Sequence, residues 1–167
     1  MKHRPLIFLH WLVQRLYKAG TRHLFGVPGG GTSLDLIEAA ASQRIELVLT
    51  AREDAALIMA GVSGVLTQGP GLAFSTKGPG LTSAANGLAA ASLDRMPALL
   101  IAETFVPGEL DYVSHQAYDQ SAVVQPLLPN GPMNVLDASR EAVDSWLACD
   151  PQPARQPAVM FPTRDAF

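Results

Sequence analysis

Three places in the sequence gather residue types able to do chemistry. The first is the run Gly26-Val27-Pro28-Gly29-Gly30-Gly31, set between a strand-like segment and a helical one. Strand, glycine loop and helix in succession is how parallel sheets turn backbone N–H groups toward an anionic or polar ligand. The run fits neither phosphate fingerprint. Leu34 stands where G-x-G-x-x-G needs its third glycine, and Thr32 where G-x-x-x-x-G-K needs its lysine. A plain tight turn and a ligand loop both stay open. The second place is Glu53, just past the apolar segment Ile45 to Leu49. Thr50-Ala51-Arg52-Glu53 has the form of a capping box, in which hydroxyl and carboxylate satisfy free N–H groups of a helix's first turn. The same carboxylate would also stand at the carboxyl end of a parallel strand, where open α/β sheets keep their ligand crevices. Partial burial there raises a carboxyl pKa and equips it for proton transfer. The third place is Gly78-Pro79-Gly80 and the helix after it, through Asn86-Gly87. Pro79 suits a first helical position, and the flanking glycines suit a sharp strand-to-helix turn. Ala84, Ala85, Gly87, Ala89, Ala90 and Ala91 leave that helix nearly flat-sided, suited to a subunit interface or to dense packing inside one domain.

Other candidates are weaker. His115, Gln116, Asp119 and Gln120 fall close together in an irregular stretch, where a solvated loop is the default. His3, His10 and His23 have no partner at metal-ligand or triad spacing, and Ser63 in Gly61-Val62-Ser63-Gly64 lacks the nucleophile-elbow pattern. Cys149 is the single cysteine, so no disulfide framework, zinc site or other metal site is expected.

The elements that must position these residues follow from length and pattern. The 167 residues are 48% hydrophobic and 16% charged, with net charge −3, which describes one soluble globular domain over residues 1–167. A chain of this size buries roughly 70% of its unfolded surface without disulfide or metal. The absence of a Lys/Arg run excludes the electrostatic footprint of nucleic-acid binding. No run of apolar residues is long enough to span a membrane, and a cytoplasmic protein is expected. Lys2 and Arg4 ahead of Leu6-Ile7-Phe8-Leu9 have a secretory flavour. However, Leu9, Leu12, Val13 and Leu16 recur at helical spacing and predict an amphipathic helix over 6–19 instead. Strands are then expected at 22–27, 45–49 (of buried type), 71–76, 97–102 and 157–161. Helices are expected from Thr32 or Ser33 as cap, over 52–66, from Pro79 to Leu93, over 120–125 and over 139–148. Residues 105–114 and the proline-rich 151–157 read as loops. Strand and helix alternation with continuously apolar strands predicts a three-layer, doubly wound α/β fold, a mostly parallel sheet with helices on both faces.

Taken in order, these segments resemble the pyrimidine-binding domain of thiamine diphosphate enzymes of the acetolactate synthase and pyruvate decarboxylase group. Ala19-Gly20-Thr21-Arg22-His23-Leu24-Phe25-Gly26-Val27-Pro28-Gly29 is similar to the family's opening strand and loop. Arg52-Glu53-Asp54-Ala55-Ala56 resembles the segment bearing its glutamate, Ser75-Thr76-Lys77-Gly78-Pro79-Gly80 its Gly-Pro-Gly turn, and Gln156-Pro157-Ala158-Val159-Met160-Phe161-Pro162 its closing strand. The resemblance implies that Glu53 hydrogen-bonds N1′ of the cofactor's aminopyrimidine and favours the imino tautomer, whose nitrogen takes the C2 proton of the thiazolium. It implies that Pro28 and Gly29 line the pyrimidine pocket, with Thr76, Gly78 and Asn86 beside it. Gln116 would reach the substrate side, and His115 falls where some decarboxylases of the group carry histidine.

The sequence also departs from the family pattern. Ser83 stands where the synthases usually have Asn, Lys77 puts a charge where a small residue is common, and no Gly-Asp-Gly occurs. The resemblance therefore implies an enzyme component acting on a 2-oxo acid. Thiamine diphosphate would be shared with a separate diphosphate-binding domain or subunit that holds Mg2+, in a homo- or hetero-oligomer. A split α subunit, of the kind found in sulfopyruvate decarboxylase, has a similar extent. Two other readings are a non-catalytic interaction module that keeps the fold, favoured by Lys77, and an unrelated flavodoxin-like nucleotide binder.

Overall fold

The computed structural model describes residues 5–105, 114–129, 134–149 and 156–162. The first helix, α1 (Pro5–Lys18), is the amphipathic helix its pattern predicts: Leu9, Leu12, Val13 and Leu16 are all fully buried. There follow β1 (His23–Gly26), α2 (Thr32–Ser42), β2 (Glu46–Leu49), α3 (Glu53–Thr67), β3 (Gly71–Ser75), α4 (Pro79–Leu93) and β4 (Ala98–Ala102). A 3-10 turn (Ser114–Gln116) leads to α5 (Gln120–Val124), a second 3-10 turn (Gln125–Leu127), then β5 (Val135–Leu136), α6 (Arg140–Ala148) and β6 (Ala158–Met160).

The strands form one six-stranded sheet in the order β2-β1-β3-β4-β6-β5, and every pair is parallel. Side-chain alternation along the central strands divides the core in two. Leu72 and Phe74 of β3, with Leu99 and Ile101 of β4, pack under α1, α2 and α6, against Leu12, Leu36 and Trp146. Ala73, Ala98, Leu100 and Ala102 face the other way, under α3, α4 and α5, against Leu57, Leu88 and Val124. That is the three-layer doubly wound fold expected. Each fully buried leucine contributes about 1.5–3 kcal/mol relative to an exposed one.

One feature differs from expectation, and one strand is not predicted from the sequence. The segment 45–49 has the apolar look of a buried strand, yet β2 is the sheet edge, paired only with β1, and its Leu49 is 64% exposed. Apolar content cannot tell an edge strand from a central one, because strand order is set by contacts distant in sequence. The segment at 134–136 contributes β5, too short to carry a period, and β6 enters the sheet between it and β4. The expected loops at 105–114 and 151–157 lie largely outside the described residues.

Of the small residues of α4, Ala84, Gly87 and Ala91 are buried inside the domain while Ala85, Ala89 and Ala90 stay partly exposed, and a Cβ on Gly87 would lie 2.5 Å from the Asp54 carbonyl oxygen of α3. Glycine there lets the two helices touch backbone to backbone. As a test of α1 as core, Leu12→Ala should lower stability by about 2–5 kcal/mol in chemical denaturation. An unchanged midpoint would mean that α1 is dispensable packing.

Candidate functional site

From β1 the chain winds outward to β2, then returns across β1 to form β3 on its other side. The loops leaving the carboxyl ends of β1 and β3 therefore part in opposite directions and open a crevice between them, the switch point at which doubly wound sheets bind ligands. A cleft of about 370 Å³ lies there, lined by Gly29, Gly30, Gly31, Thr76, Lys77, Glu103 and Gln116.

One wall is the glycine loop. Gly31 is the N-cap of α2 at φ 63° and ψ −133°, a backbone state that L side chains rarely adopt. Neither expected cap acts as one. Ser33 instead donates its hydroxyl to the Gly30 carbonyl at 2.9 Å and accepts from the Gly29 N–H at 3.4 Å, so it ties the loop to itself. Gly29 seats directly on the Thr76 methyl, where a Cβ would collide.

The opposite wall is the Gly-Pro-Gly turn. Gly78 has φ 63°, with the Gln116 carbonyl occupying the place of its missing Cβ, and Pro79 opens α4. Tyr118 donates to the Gly78 carbonyl at 2.8 Å and pairs with the Thr82 hydroxyl at 2.6 Å. These contacts pin the first 3-10 turn over the site. Gln116 thereby lines the main cleft and also an adjoining one of about 390 Å³, shared with Pro79, Thr82, Ser83, His115 and Tyr118.

Glu53 is the first residue of α3, and the capping box is not formed. The N-cap is Arg52, and the Thr50 hydroxyl donates to the Arg52 carbonyl at 3.0 Å rather than accepting from the helix. The strand runs into the helix too directly for Thr50 to sit at the cap. Arg52 instead grips Asp54 through two bonds of 3.0 and 2.9 Å, and Asp54 also accepts the Ala55 N–H at 2.8 Å. The Arg52 guanidinium, with smaller help from Ala55 and Asn86, holds the Asp54 carboxyl below its ordinary range against the opposing pull of burial. Glu53 is left half-buried, and its carboxylate accepts no hydrogen bond from the described residues. Its Oε1 lies 3.6 Å from where a Cβ on Gly80 would stand. The closer neighbour of that position is the Thr76 hydroxyl, which a Cβ on residue 80 would strike.

Glu53, Thr76, Gly78, Gly29 and Gln116 thus form one connected patch, with Glu53 adjoining the main cleft through Thr76 and Gly80 rather than lining it. Pro28 is exposed at the start of the loop and His115 lies exposed in the adjoining cleft. Asn86 is exposed on α4, where its side chain reaches Asp54, and it lines neither cleft. Sequence reasoning missed Glu103 and Tyr118. Glu103 follows the apolar run of β4 as Glu53 follows that of β2, so the same signal, a carboxylate just past a parallel strand, would have found it. Among the described residues no cluster of three or more His, Cys, Asp or Glu could hold a metal ion.

A doubly wound sheet with a glycine-walled crevice and a carboxylate beside it defines a ligand-binding α/β domain. The family model for the thiamine pyrophosphate enzyme N-terminal TPP binding domain matches residues 8–123, and the chain belongs to that family. It is similar to the acetolactate synthase of Bacillus subtilis, 31% identical over 117 residues, which are 70% of this chain and 20% of that protein. The acetolactate synthase large subunit of Buchnera aphidicola is 32% identical over 118 residues, again 70% and 20% of the two chains. A probable 2-ketoarginine decarboxylase of Pseudomonas aeruginosa is 32% identical over 119 residues, 70% and 21%. The chain thus matches about a fifth of the length of these relatives.

Two outcomes test this geometry. Gly31→Ala must adopt a positive φ and displace the Glu103 carboxylate, so it should cost about 1–3 kcal/mol in denaturant unfolding; a neutral result would mean that the loop is not held as described. Asp54→Asn should destabilise the protein at neutral pH. Because the folded carboxyl titrates below its ordinary value, about 3.9, that difference should fade as pH drops through the acid range. A difference that grew with acid would reverse the assignment.

Proposed function

We propose that this chain is the pyrimidine-binding part of a thiamine diphosphate-dependent 2-oxo acid decarboxylase or carboligase. Its site would be completed by a separate domain or subunit that holds the diphosphate and Mg2+. The observation that carries the reading is the half-buried Glu53 carboxylate, which accepts no hydrogen bond from the described residues, beside the bare backbone of Gly80 at the switch-point crevice. A carboxylate so placed is ready to accept a hydrogen bond from a ligand, and the exposed edge of the glycine loop gives a flat heterocycle close access to backbone. These features fit the family's cofactor. When bound, its thiazolium supplies the electron sink for the bond broken as carbon dioxide leaves.

The chain's own residues would act as follows. The Glu53 carboxylate would accept a hydrogen bond from the ring's N1′–H, and its charge would bias where the ring's protons reside. Water exclusion on closure against the partner strengthens that contact, since charges attract more in a low dielectric. Pro28, Gly29 and Thr76 shape the ring's berth, and Gly78 keeps its wall thin. Gln116 and His115, on the turn over the adjoining cleft, face the substrate side. Asn86 acts from behind, through Asp54 at the start of α3.

The need for a partner is supported by coverage of only about a fifth of the synthases. It is also supported by apolar side chains left on α3 and α4, Leu66 at 79% and Leu93 at 84% exposure. Such groups gain free energy when a second domain or subunit covers them.

The protein assembled with a Gly-Asp-Gly-bearing domain, thiamine diphosphate and Mg2+ should release carbon dioxide from a 2-oxo acid in a substrate panel. Glu53→Gln should lower the rate by about 10²–10⁴-fold, the usual contribution of a positioned proton-transfer group. Full activity in that variant would sink the mechanism.

A further inference from the structure

The cleft holds a second carboxylate that the proposed chemistry does not use. Glu103 follows the last residue of β4, extends the ladder by donating its N–H to the Ser75 carbonyl at 3.2 Å, and is 6% exposed. Its side chain points across the sheet toward β1. Oε1 fills the place a Cβ on Gly31 would take and lies 3.4 Å from the Thr32 N–H, the first of α2. Lys77 Nζ, from the opposite wall, stands 3.8 Å from the same oxygen and 5.5 Å from the Phe105 ring centroid. The Glu103 carbonyl accepts from the Gln120 side chain at 3.0 Å. One buried residue therefore joins the glycine loop, the Gly-Pro-Gly wall, the end of β4 and α5.

A helix N-terminus attracts an anion, because its first N–H groups lack intrahelical acceptors and the helix dipole is positive there. In phosphate-binding folds a ligand takes that place. We propose that here Glu103 takes it, as an internal anion that fixes the glycine loop: it is a positioning residue, with Lys77 as its counter-ion. Burying a carboxylate is costly unless charge and hydrogen bonds compensate it. Lys77, the charged departure in an otherwise small-residue turn, provides that compensation, so the two charges belong together. Because Glu103 already occupies the anion position at the first N–H of α2, the loop offers Gly29 and Gly30 as a backbone surface for a ring rather than a phosphate cradle. The consequence for cofactor binding rests on the function proposed above.

The test is amide hydrogen exchange over Gly29–Leu34 in the protein assembled with its diphosphate-binding domain, paired with cofactor titration. Glu103→Ala should speed exchange at Thr32 to Leu34 by about tenfold or more while β3 and β4 stay protected. It should raise the half-saturating concentration of thiamine diphosphate by a larger factor than it lowers kcat at saturation. Glu103→Gln keeps an acceptor for the Thr32 N–H and should restore most of the loop protection, with Lys77→Met intermediate. Wild-type exchange in a folded Glu103→Ala would overturn the proposal. So would loss of protection throughout β3 and β4 in both Glu103 variants, which would make the residue a general core element. Faster loop exchange with cofactor affinity unaltered would uphold the internal anion and count instead against the cofactor reading.

Discussion

The structure depends on the parting of the chain between β1 and β3. A parallel sheet covered on both faces has only one place where its backbone can meet a ligand without breaking the ladder, namely the carboxyl edge where the winding reverses. The glycine loop, Thr76 and Lys77 leading into the Gly-Pro-Gly turn, Glu103 and Gln116 all line that opening. Gly31 and Gly78, both at φ 63°, turn the two loops away from each other. Their missing side chains leave room for Glu103 on one side and the Gln116 carbonyl on the other. The two largely separate cores hold the central strands rigidly enough for these loops to keep their places.

Charge then distinguishes the two carboxylates at this edge. Glu103 is buried, with a cation and a helix N-terminus for company, and so serves the scaffold. Glu53 is half-buried, its neighbour Asp54 takes the Arg52 guanidinium, and its oxygens accept no hydrogen bond from the described residues. Two residues of similar kind, each following a parallel strand, are thus set apart by what their neighbours already satisfy.

Much of this was legible in the sequence, and the reason is local. The helical spacing of Leu9, Leu12, Val13 and Leu16, the apolar strands and the Pro79 helix start depend on residues near one another. Glu53 and the glycine run could be placed at the carboxyl edge of the sheet because both lie just past apolar segments. Strand order could not be read, since the edge position of β2 and the insertion of β6 beside β4 come from contacts far apart in sequence. The capping box at Thr50 failed for a local reason, the Thr50 hydroxyl bonding to the Arg52 carbonyl instead of a helix N–H. The position of Glu103 past β4 was legible, but its contact with the Thr32 N–H, across 71 residues of chain, was not.

The central claim is that the switch-point crevice receives an aminopyrimidine against Glu53. The distance from the Glu53 carboxylate to N1′, measured in a crystal structure of the assembled protein with thiamine diphosphate, tests it most directly. The account predicts a hydrogen bond of about 2.5–3.2 Å, with the ring beside Gly29 and Thr76. A pyrimidine bound elsewhere, or a Glu53 carboxylate turned away from N1′, would contradict it.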